Sequence, residues 1–370
     1  MAEPLKAIYH EAFIQSLAQS IVDVYPLFDA DAFVAAVFGP GWEELELKAR
    51  TRKITHSLGA ALPSKYGEAL AVLEAVSESF GGLQHLVFPD FVEVYGLHDW
   101  ERSLPALAKF TRQSTSEFAV RPFLLQDQER MLKQMFSWAD DPDEHVRRLA
   151  SEGCRPRLPW AVALPRLKRD PEPILPILEK LKEDPSEYVR RSVANNLNDI
   201  SKDHPERLVA LAVQWIGCDA RTDWILKHGC RGLLRAAHPR VMALFGMTPP
   251  TGVTVEEWTV TPDEVRIGDS VRFGYSVRAP QGDPVKLRIE LAAYFVRTTG
   301  KDYRKLFKLS EKVVEGGSLQ EGGRRFSYAD LSTRRHYPGA HRLALVVNGQ
   351  ELASADVTLL PASEEADRAP

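Results

Sequence analysis

The period of the apolar residues changes once along this chain. Over residues 7–24, 43–58 and 66–79 apolar side chains return at three- and four-residue spacing, which predicts amphipathic helices. Beyond residue 252 the period falls to two. Val271, Phe273, Tyr275 and Val277 alternate with polar neighbours, as do Val285, Leu287, Ile289 and Leu291, and then Leu343, Leu345 and Val347. That alternation predicts half-buried strands. Asn348-Gly349 between two such runs predicts a type I′ hairpin, whose two central residues must both take positive φ. About seven short strands without the cysteine pair of an antibody domain predict an immunoglobulin-like β-sandwich. The change of period falls at Thr248-Pro-Pro-Thr-Gly252, where two prolines forbid helix.

The helical region contains a repeated segment. Asp140-Asp-Pro-Asp-Glu-His-Val-Arg-Arg-Leu-Ala-Ser-Glu returns 43 residues later as Glu183-Asp-Pro-Ser-Glu-Tyr-Val-Arg-Arg-Ser-Val-Ala-Asn. Each copy is an Asp-Pro turn leading into a helix that begins Val-Arg-Arg, and each follows an amphipathic helix, 129–138 and 174–182. Helix, short turn and helix at this period resemble the HEAT repeat, usually ~40–47 residues long. Degenerate copies are expected at 115–124 and 222–235, since terminal repeats of a solenoid are irregular. The expected organisation is an all-α HEAT-like repeat solenoid over 1–246, a linker at 247–252, an all-β immunoglobulin-like sandwich over 253–361 and a disordered tail at 362–370.

Composition changes this picture little. Charged residues are 26% and hydrophobic ones 44% of 370, a balance that supplies a core to each domain and gives no case for global disorder. Residues 1–21 carry Glu3, Pro4 and Glu11, unlike a secretory leader, and no stretch approaches the ~20 apolar residues of a membrane span. A cytoplasmic address and no membrane partner are expected. Cys154, Cys218 and Cys230 lie far apart, with no CxxC and no histidine at ligand spacing, and read as reduced, packed thiols. No metal or organic cofactor is expected, since no phosphate-cradling glycine loop or zinc cluster is visible either.

Charge changes it more. A net charge of -4 would argue against nucleic acid if it were evenly spread. It is not: residues 1–110 hold 15 acidic against 8 basic side chains, whereas 144–240 hold 13 acidic against 18 basic. In a HEAT-type array the second helix of each unit lines the concave face, so its polar side decides what is bound. In the helix containing Val146, the apolar Val146, Ala150 and Cys154 should face the core, leaving Arg148, Glu152 and Arg155 together opposite. The equivalent positions of the next copy are Arg191, Asn195 and Asn198. The bland alternative is a solvated face with local Glu152–Arg155 pairing, contributing a few tenths of a kcal/mol. Trp160 follows Arg155-Pro-Arg-Leu-Pro159, where two prolines break the helix and expose a loop, an odd place for a core tryptophan. Glu117 opens a helix expected near Thr115, where it could simply favour the helix dipole and pair with Arg121 at i+4.

The segments Ser116-Glu-Phe-Ala-Val-Arg-Pro-Phe-Leu124 and Ser151-Glu-Gly-Cys-Arg-Pro-Arg-Leu-Pro-Trp160 resemble the signature segments of the AlkC DNA glycosylases. The resemblance covers the helical region and extends to the appended sandwich. That family is similar to the AlkD glycosylases, HEAT-like solenoids that hold duplex DNA in a basic groove. Both excise positively charged N-alkylated bases such as 3-methyladenine. The resemblance implies excision without flipping the base into a pocket, with 3-methylcytosine as a further candidate substrate. It also implies that Glu117, Glu152 and Trp160 act on the lesion and that Arg155 contacts the DNA. AlkD-like relatives use an aspartate flanked by two tryptophans, whereas glutamates and a single aromatic stand here, a departure that fits AlkC.

These residue types suit such chemistry. A cationic base leaves readily while the sugar gains oxocarbenium character, which a carboxylate stabilises. A second carboxylate can orient or deprotonate water, and an indole face attracts either cation by ~0.5–2 kcal/mol. Duplex DNA is the expected partner, held through Arg148, Arg155, Arg191, Asn195, Lys227, Arg231 and Arg235 with a steep salt dependence. Basic stretches at Arg304-Lys305 with Lys308, Arg324-Arg325 and Arg334-Arg335-His336 suggest that the sandwich also touches the duplex. One groove per chain makes a monomer sufficient. The alternative from another class is a non-catalytic HEAT scaffold binding DNA or protein, or a peptide adaptor.

Overall fold

The computed structural model describes residues 4–296, 303–331 and 334–362. The expected tail at 362–370 therefore lies, Ala362 apart, outside the described residues. The chain forms two compact units: residues up to Leu208 with Gln214–Gly229, and Val209–Val213 with everything from Cys230 onwards.

The first unit is a helical repeat array. Its amino-terminal helices are Glu11–Val24, Ala30–Val37, Leu47–Ala61, Tyr66–Val76, Val87–Tyr95 and Trp100–Phe110. Several starts are set by a side chain that satisfies an otherwise orphaned backbone N–H, as Asp29 does for Ala32 and Asp99 for Arg102. His10 caps in the same way, so the expected helix over 7–24 begins only at Glu11, after a short 3-10 turn at Leu5–Ile8. The expected helix 43–58 starts later, at Leu47, because a turn centred on Gly41 and Trp42 precedes it.

Both repeat copies form helix pairs: Gln128–Trp138 with Glu144–Gly153, then Leu175–Leu181 with Glu187–Asp203. The second helices stack in sequence, Glu144–Gly153 on Glu187–Asp203 and the latter on Ala220–Gly229. Each Asp-Pro turn is built alike. Asp141 Oδ1 accepts from the Asp143 N–H and Asp184 Oδ1 from the Ser186 N–H, each at 2.8 Å. The degenerate copies depart from expectation at their ends. Residues 117–119 form a turn and the helix begins only at Val120, while the segment at 222–235 breaks at Cys230 into two helices. No helix among the described residues is long and apolar enough to cross a membrane. Cys154 and Cys230 are buried free thiols as expected, but Cys218 is exposed.

The second unit is an immunoglobulin-like sandwich with, among the described residues, eight strands: β1 (Thr254–Thr261), β2 (Glu264–Arg266), β3 (Ser270–Arg278), β4 (Val285–Phe295), β5 (Tyr303–Val314), β6 (Leu319–Ser327), β7 (Gly339–Val347) and β8 (Gln350–Leu360). One sheet has the order β1-β3-β6 and the other β2-β8-β7-β4-β5, and β2 and β8 pair in parallel. The alternating residues meet in the core: Val271, Phe273, Tyr275, Val277, Leu287, Ile289, Leu291, Leu343, Leu345 and Val347 are all buried. Asn348 and Gly349 take φ of 45° and 83°, as a two-residue primed turn requires.

The opposite face of the larger sheet is also buried, at Ala292, Ala344 and Val346, and carries an ion network of Arg288 with Glu290 (2.6 Å) and Glu311 (3.0 Å). The preceding chain meets β4 and the β7–β8 turn: Asn348 Nδ2 donates to Thr248 O at 2.8 Å and Lys286 Nζ to Phe245 O at 2.9 Å. The helices Arg231–Arg235 and Pro239–Leu244, placed by sequence in the solenoid, thus belong to this unit. His336, expected among surface cations, is buried against Phe295 and Tyr328.

Candidate active site

The site is built on the helix Glu144–Gly153. Asp143 caps its start by accepting from the His145 N–H at 2.8 Å. Val146, Ala150 and Cys154 turn inward as their spacing predicts, and so do Leu149, Glu152 and Gly153. The two arginines of its Val-Arg-Arg step diverge. Arg147 turns back to the Asp-Pro turn, its Nη1 donating to Asp141 O and Pro142 O at 2.9 Å, and its Nε and Nη2 reach Asp184 of the next copy at 2.7 and 3.1 Å.

Arg148 turns to the other side and joins two carboxylates. Its Nη1 stands 2.5 Å from Glu117 Oε2 and its Nη2 3.5 Å from Glu152 Oε1. Glu152 in turn accepts from Arg155 Nη1 at 2.6 Å, and Arg155 Nε donates to Asp199 Oδ2 at 2.9 Å. Lys202 closes the series on Asp199 Oδ1 at 2.9 Å. Acid and base alternate through six residues, of which only Lys202 is well exposed. Thr115 tightens one end: its hydroxyl donates to Glu117 Oε2 at 2.9 Å and accepts from Arg148 Nη1 at 2.9 Å. The Tyr188 ring packs under the Arg148 guanidinium at 5.0 Å.

Burial opposes the charge on Arg148, but Glu152 and Glu117 outweigh it and raise its pKa above the ordinary value. Arg155 behaves alike, with Glu152 and Asp199 overcoming its burial. Buried ion networks of this kind are poor stabilisers, because desolvation consumes most of the Coulomb energy, and they concentrate where chemistry is done.

Beside this network a small, partly open cavity of about 30 Å³ is lined by Thr115, Phe118, Lys48, Asp90, Glu93 and Trp160, among others. Trp160 is 64% exposed and takes a φ of 62°, a left-handed conformation that costs a bulky residue energy. Its carbonyl accepts from Lys48 Nζ at 2.9 Å, and the same ammonium sits 4.7 Å over the Phe118 ring. Arg52 Nη2 bonds the lining carboxylates Asp90 at 3.0 Å and Glu93 at 2.6 Å. Burial, reinforced by Asp90, raises the Glu93 pKa.

The structure thus brings Glu117, Arg148, Glu152 and Arg155 into one network and sets Trp160 on the cavity next to it. It corrects two local readings. Glu117 pairs with Arg148 and not with Arg121, and Arg148, Glu152 and Arg155 form no solvated face but a largely buried one. The remaining expected DNA contacts lie elsewhere. Arg191 is exposed and pairs with Glu187 on its own helix, Asn195 is half-buried, and Lys227 is exposed on Ala220–Gly229. Arg231 and Arg235 stand on a helix of the second unit.

Sequence reasoning misses Thr115, Asp199, Tyr188 and Arg121. For Arg121 a signal existed. A guanidinium inside the apolar run Phe118-Ala-Val-Arg-Pro-Phe-Leu implies a buried charge with partners. Its Nη1 donates to Gly153 O (3.1 Å) and Arg155 O (3.0 Å), its Nε to Val162 O (2.6 Å), and burial draws its pKa down to about 10.

Comparison with known proteins follows the same division. Residues 111–218 match the family described as DNA alkylation repair enzyme, and residues 254–361 the one described as Uncharacterised protein YhaZ, C-terminal Ig-like domain. The chain is 46% identical to YhaZ of Bacillus subtilis (strain 168) over 352 residues, 95% of this chain and 98% of that protein. It is similar along its length to the structure of the Pseudomonas fluorescens alkylpurine DNA glycosylase AlkC bound to DNA containing an abasic site analog. The TM-score is 0.93 at 38% identity, over 97% of this chain and 100% of that one.

Proposed function

We propose, from the premise that this chain belongs to the AlkC-type family of DNA alkylation repair enzymes, that it is a DNA glycosylase for cationic N-alkylated bases. Its substrates on this reading are 3-methyladenine and 3-methylcytosine in duplex DNA, removed without flipping the base into a pocket. One observation carries the reading: carboxylates held rigidly between arginines, in a largely buried network, next to an exposed indole on a pinned loop.

The chemistry asks for such a constellation. The C1′–N bond of a cationic base breaks with its electron pair passing to the base, which leaves neutral, and the deoxyribose becomes oxocarbenium-like. Glu152, fixed by Arg155 and Arg148, stabilises that charge without reorganising. Glu117, fixed by Thr115 and Arg148, orients the incoming water and takes its proton. The Trp160 face supports the cation. No step calls for a metal.

Arg191, Asn195, Lys227, Arg231 and Arg235 supply phosphate contacts in this reading, and Arg148 and Arg155 help to hold the damaged strand. The sandwich adds contacts of its own through the exposed Arg324 and Arg325 of β6. Chromatography of bases released from methylated genomic DNA tests the proposal. The wild type should liberate free 3-methyladenine and the Glu152→Gln variant should not, while both bind DNA. A wild type that binds DNA and releases nothing would instead be a scaffold.

A further inference from the structure

The series Glu117, Arg148, Glu152, Arg155, Asp199 and Lys202 alternates in sign, three carboxylates against three cations, so it carries no net charge. Five of its side chains are between 1% and 13% exposed, whereas that of Lys202 is 49% exposed. Asp199 joins the two environments. Its Oδ2 accepts from the buried Arg155 Nε and its Oδ1 from the exposed Lys202 Nζ, each at 2.9 Å.

A balanced series is poorly matched to a sugar that becomes positive, because each cation bonded to the carboxylates offsets part of their field. Without Lys202 it holds three carboxylates against two guanidiniums, a net charge of -1 where one positive charge develops. Arg121 adds the same charge in either case, since it bonds the carbonyls of Gly153, Arg155 and Val162. Lys202 is also the cation that leaves most readily. It is half in solvent, and Asp199 keeps Arg155 when it departs, whereas the loss of a buried cation would strand a buried carboxylate. On the helix Glu187–Asp203, Lys202 continues the spacing of Arg191, Asn195 and Asn198, the row that meets phosphates in the reading above. A phosphate at that face competes with Asp199 for the ammonium.

On the glycosylase reading, we infer that Asp199 is a positioning residue that couples the DNA backbone to Glu152: a phosphate of the bound duplex takes Lys202 from Asp199, which then acts on Arg155 alone and offsets more of its charge beside Glu152. Glu152 itself does not move. Duplex binding thus unbalances the series in the direction the reaction needs, and the free protein keeps it neutral. Coupling of this kind is reciprocal, so the bond between Asp199 and Lys202 also opposes DNA binding.

The test uses the full chain, a duplex with a tetrahydrofuran abasic analogue for affinity, and a methylated duplex for single-turnover base release. Asp199→Asn should move the two readouts in opposite directions. Its affinity for the abasic duplex should rise about threefold, because Lys202 loses its competing partner, and its release at saturating protein should fall about tenfold. A merely structural role would lower both. Lys202→Met should bind about fivefold more weakly, with the slope of log affinity against log salt reduced by about 1. In the double variant the affinity gain should vanish while the loss of rate remains. An affinity gain that persists without Lys202, no gain in Asp199→Asn, or unweakened binding by Lys202→Met each overturns the relay. Should Asp199→Asn fail to fold, unweakened binding or an unreduced salt slope in Lys202→Met still does so. Base release by the wild type leaves the glycosylase reading standing in all these cases, and a wild type that releases none overturns both.

Discussion

The two copies of the repeat carry the same Val-Arg-Arg step and put it to different uses. Their first arginines do one job: Arg147 Nη1 donates to Asp141 O and Pro142 O, and Arg190 Nη1 to Asp184 O and Pro185 O. Their second arginines diverge. The Arg148 side chain is 13% exposed and clamped between Glu117 and Glu152, whereas that of Arg191 is 62% exposed and pairs only locally with Glu187. The backbone and the arginine are the same in both, so the neighbours decide. Positions 152 and 155 are Glu and Arg in the first copy, while their equivalents in the second, Asn195 and Asn198, bring no charge. Repetition supplies the scaffold, and the candidate site arises where one copy breaks the repeat.

The largest expected effect tests that difference directly. Glu152→Gln should slow single-turnover base release by about a hundredfold or more while duplex affinity changes less than about threefold. Adding Asn195→Glu to that variant should restore none of the lost rate, because the second copy has no equivalent of Glu117 and Arg155 around it. A recovered rate would show that the helix position alone makes the site.

Stability should separate the second arginines next. Arg148→Ala leaves two largely buried carboxylates without their shared cation and should cost about 3 kcal/mol in denaturant unfolding. Arg191→Ala removes an exposed pair and should cost less than about 0.5 kcal/mol. The first arginines should differ less. Arg147→Ala, which also breaks the bidentate bond to the buried Asp184, should cost about 2 kcal/mol against about 1 kcal/mol for Arg190→Ala. Equal losses would mean that the bridge between copies contributes nothing. The smallest effect concerns binding. Arg191→Ala should lower the slope of log affinity against log salt by about 1 and leave the rate of bound complex unchanged.

Much of the architecture was legible in the order of residues. The 43-residue return of the Asp-Pro turn, the strand alternation and Asn348-Gly349 all correspond to elements of the structure. The less legible regions are those where a local signal competed with packing. The segment 222–235 divides at Cys230, and the helices 231–244 group with the sandwich, where Lys286 binds the carbonyl of Phe245 at the end of the last helix and Asn348 that of Thr248 in the linker. Glu117 beside Arg121 looked like an ordinary helical pair, yet the helix begins only at Val120, so the two never share a helical face.

The sequence by itself determined the two kinds of domain and the repeat with its turn chemistry, each of which follows from a period or a turn residue that acts over a few neighbours. Glu117, Glu152 and Trp160 became candidates through the resemblance of two short segments to those of AlkC. Only the tertiary structure decided that Arg148 bridges residues 117 and 152, that Arg155 reaches Asp199, and that Arg121 fastens the Trp160 loop. Most of these partners lie some 30 to 45 residues apart, and helix packing brings them within hydrogen-bonding reach. No local pattern carries that information, because a buried charge takes whichever partner the fold presents to it.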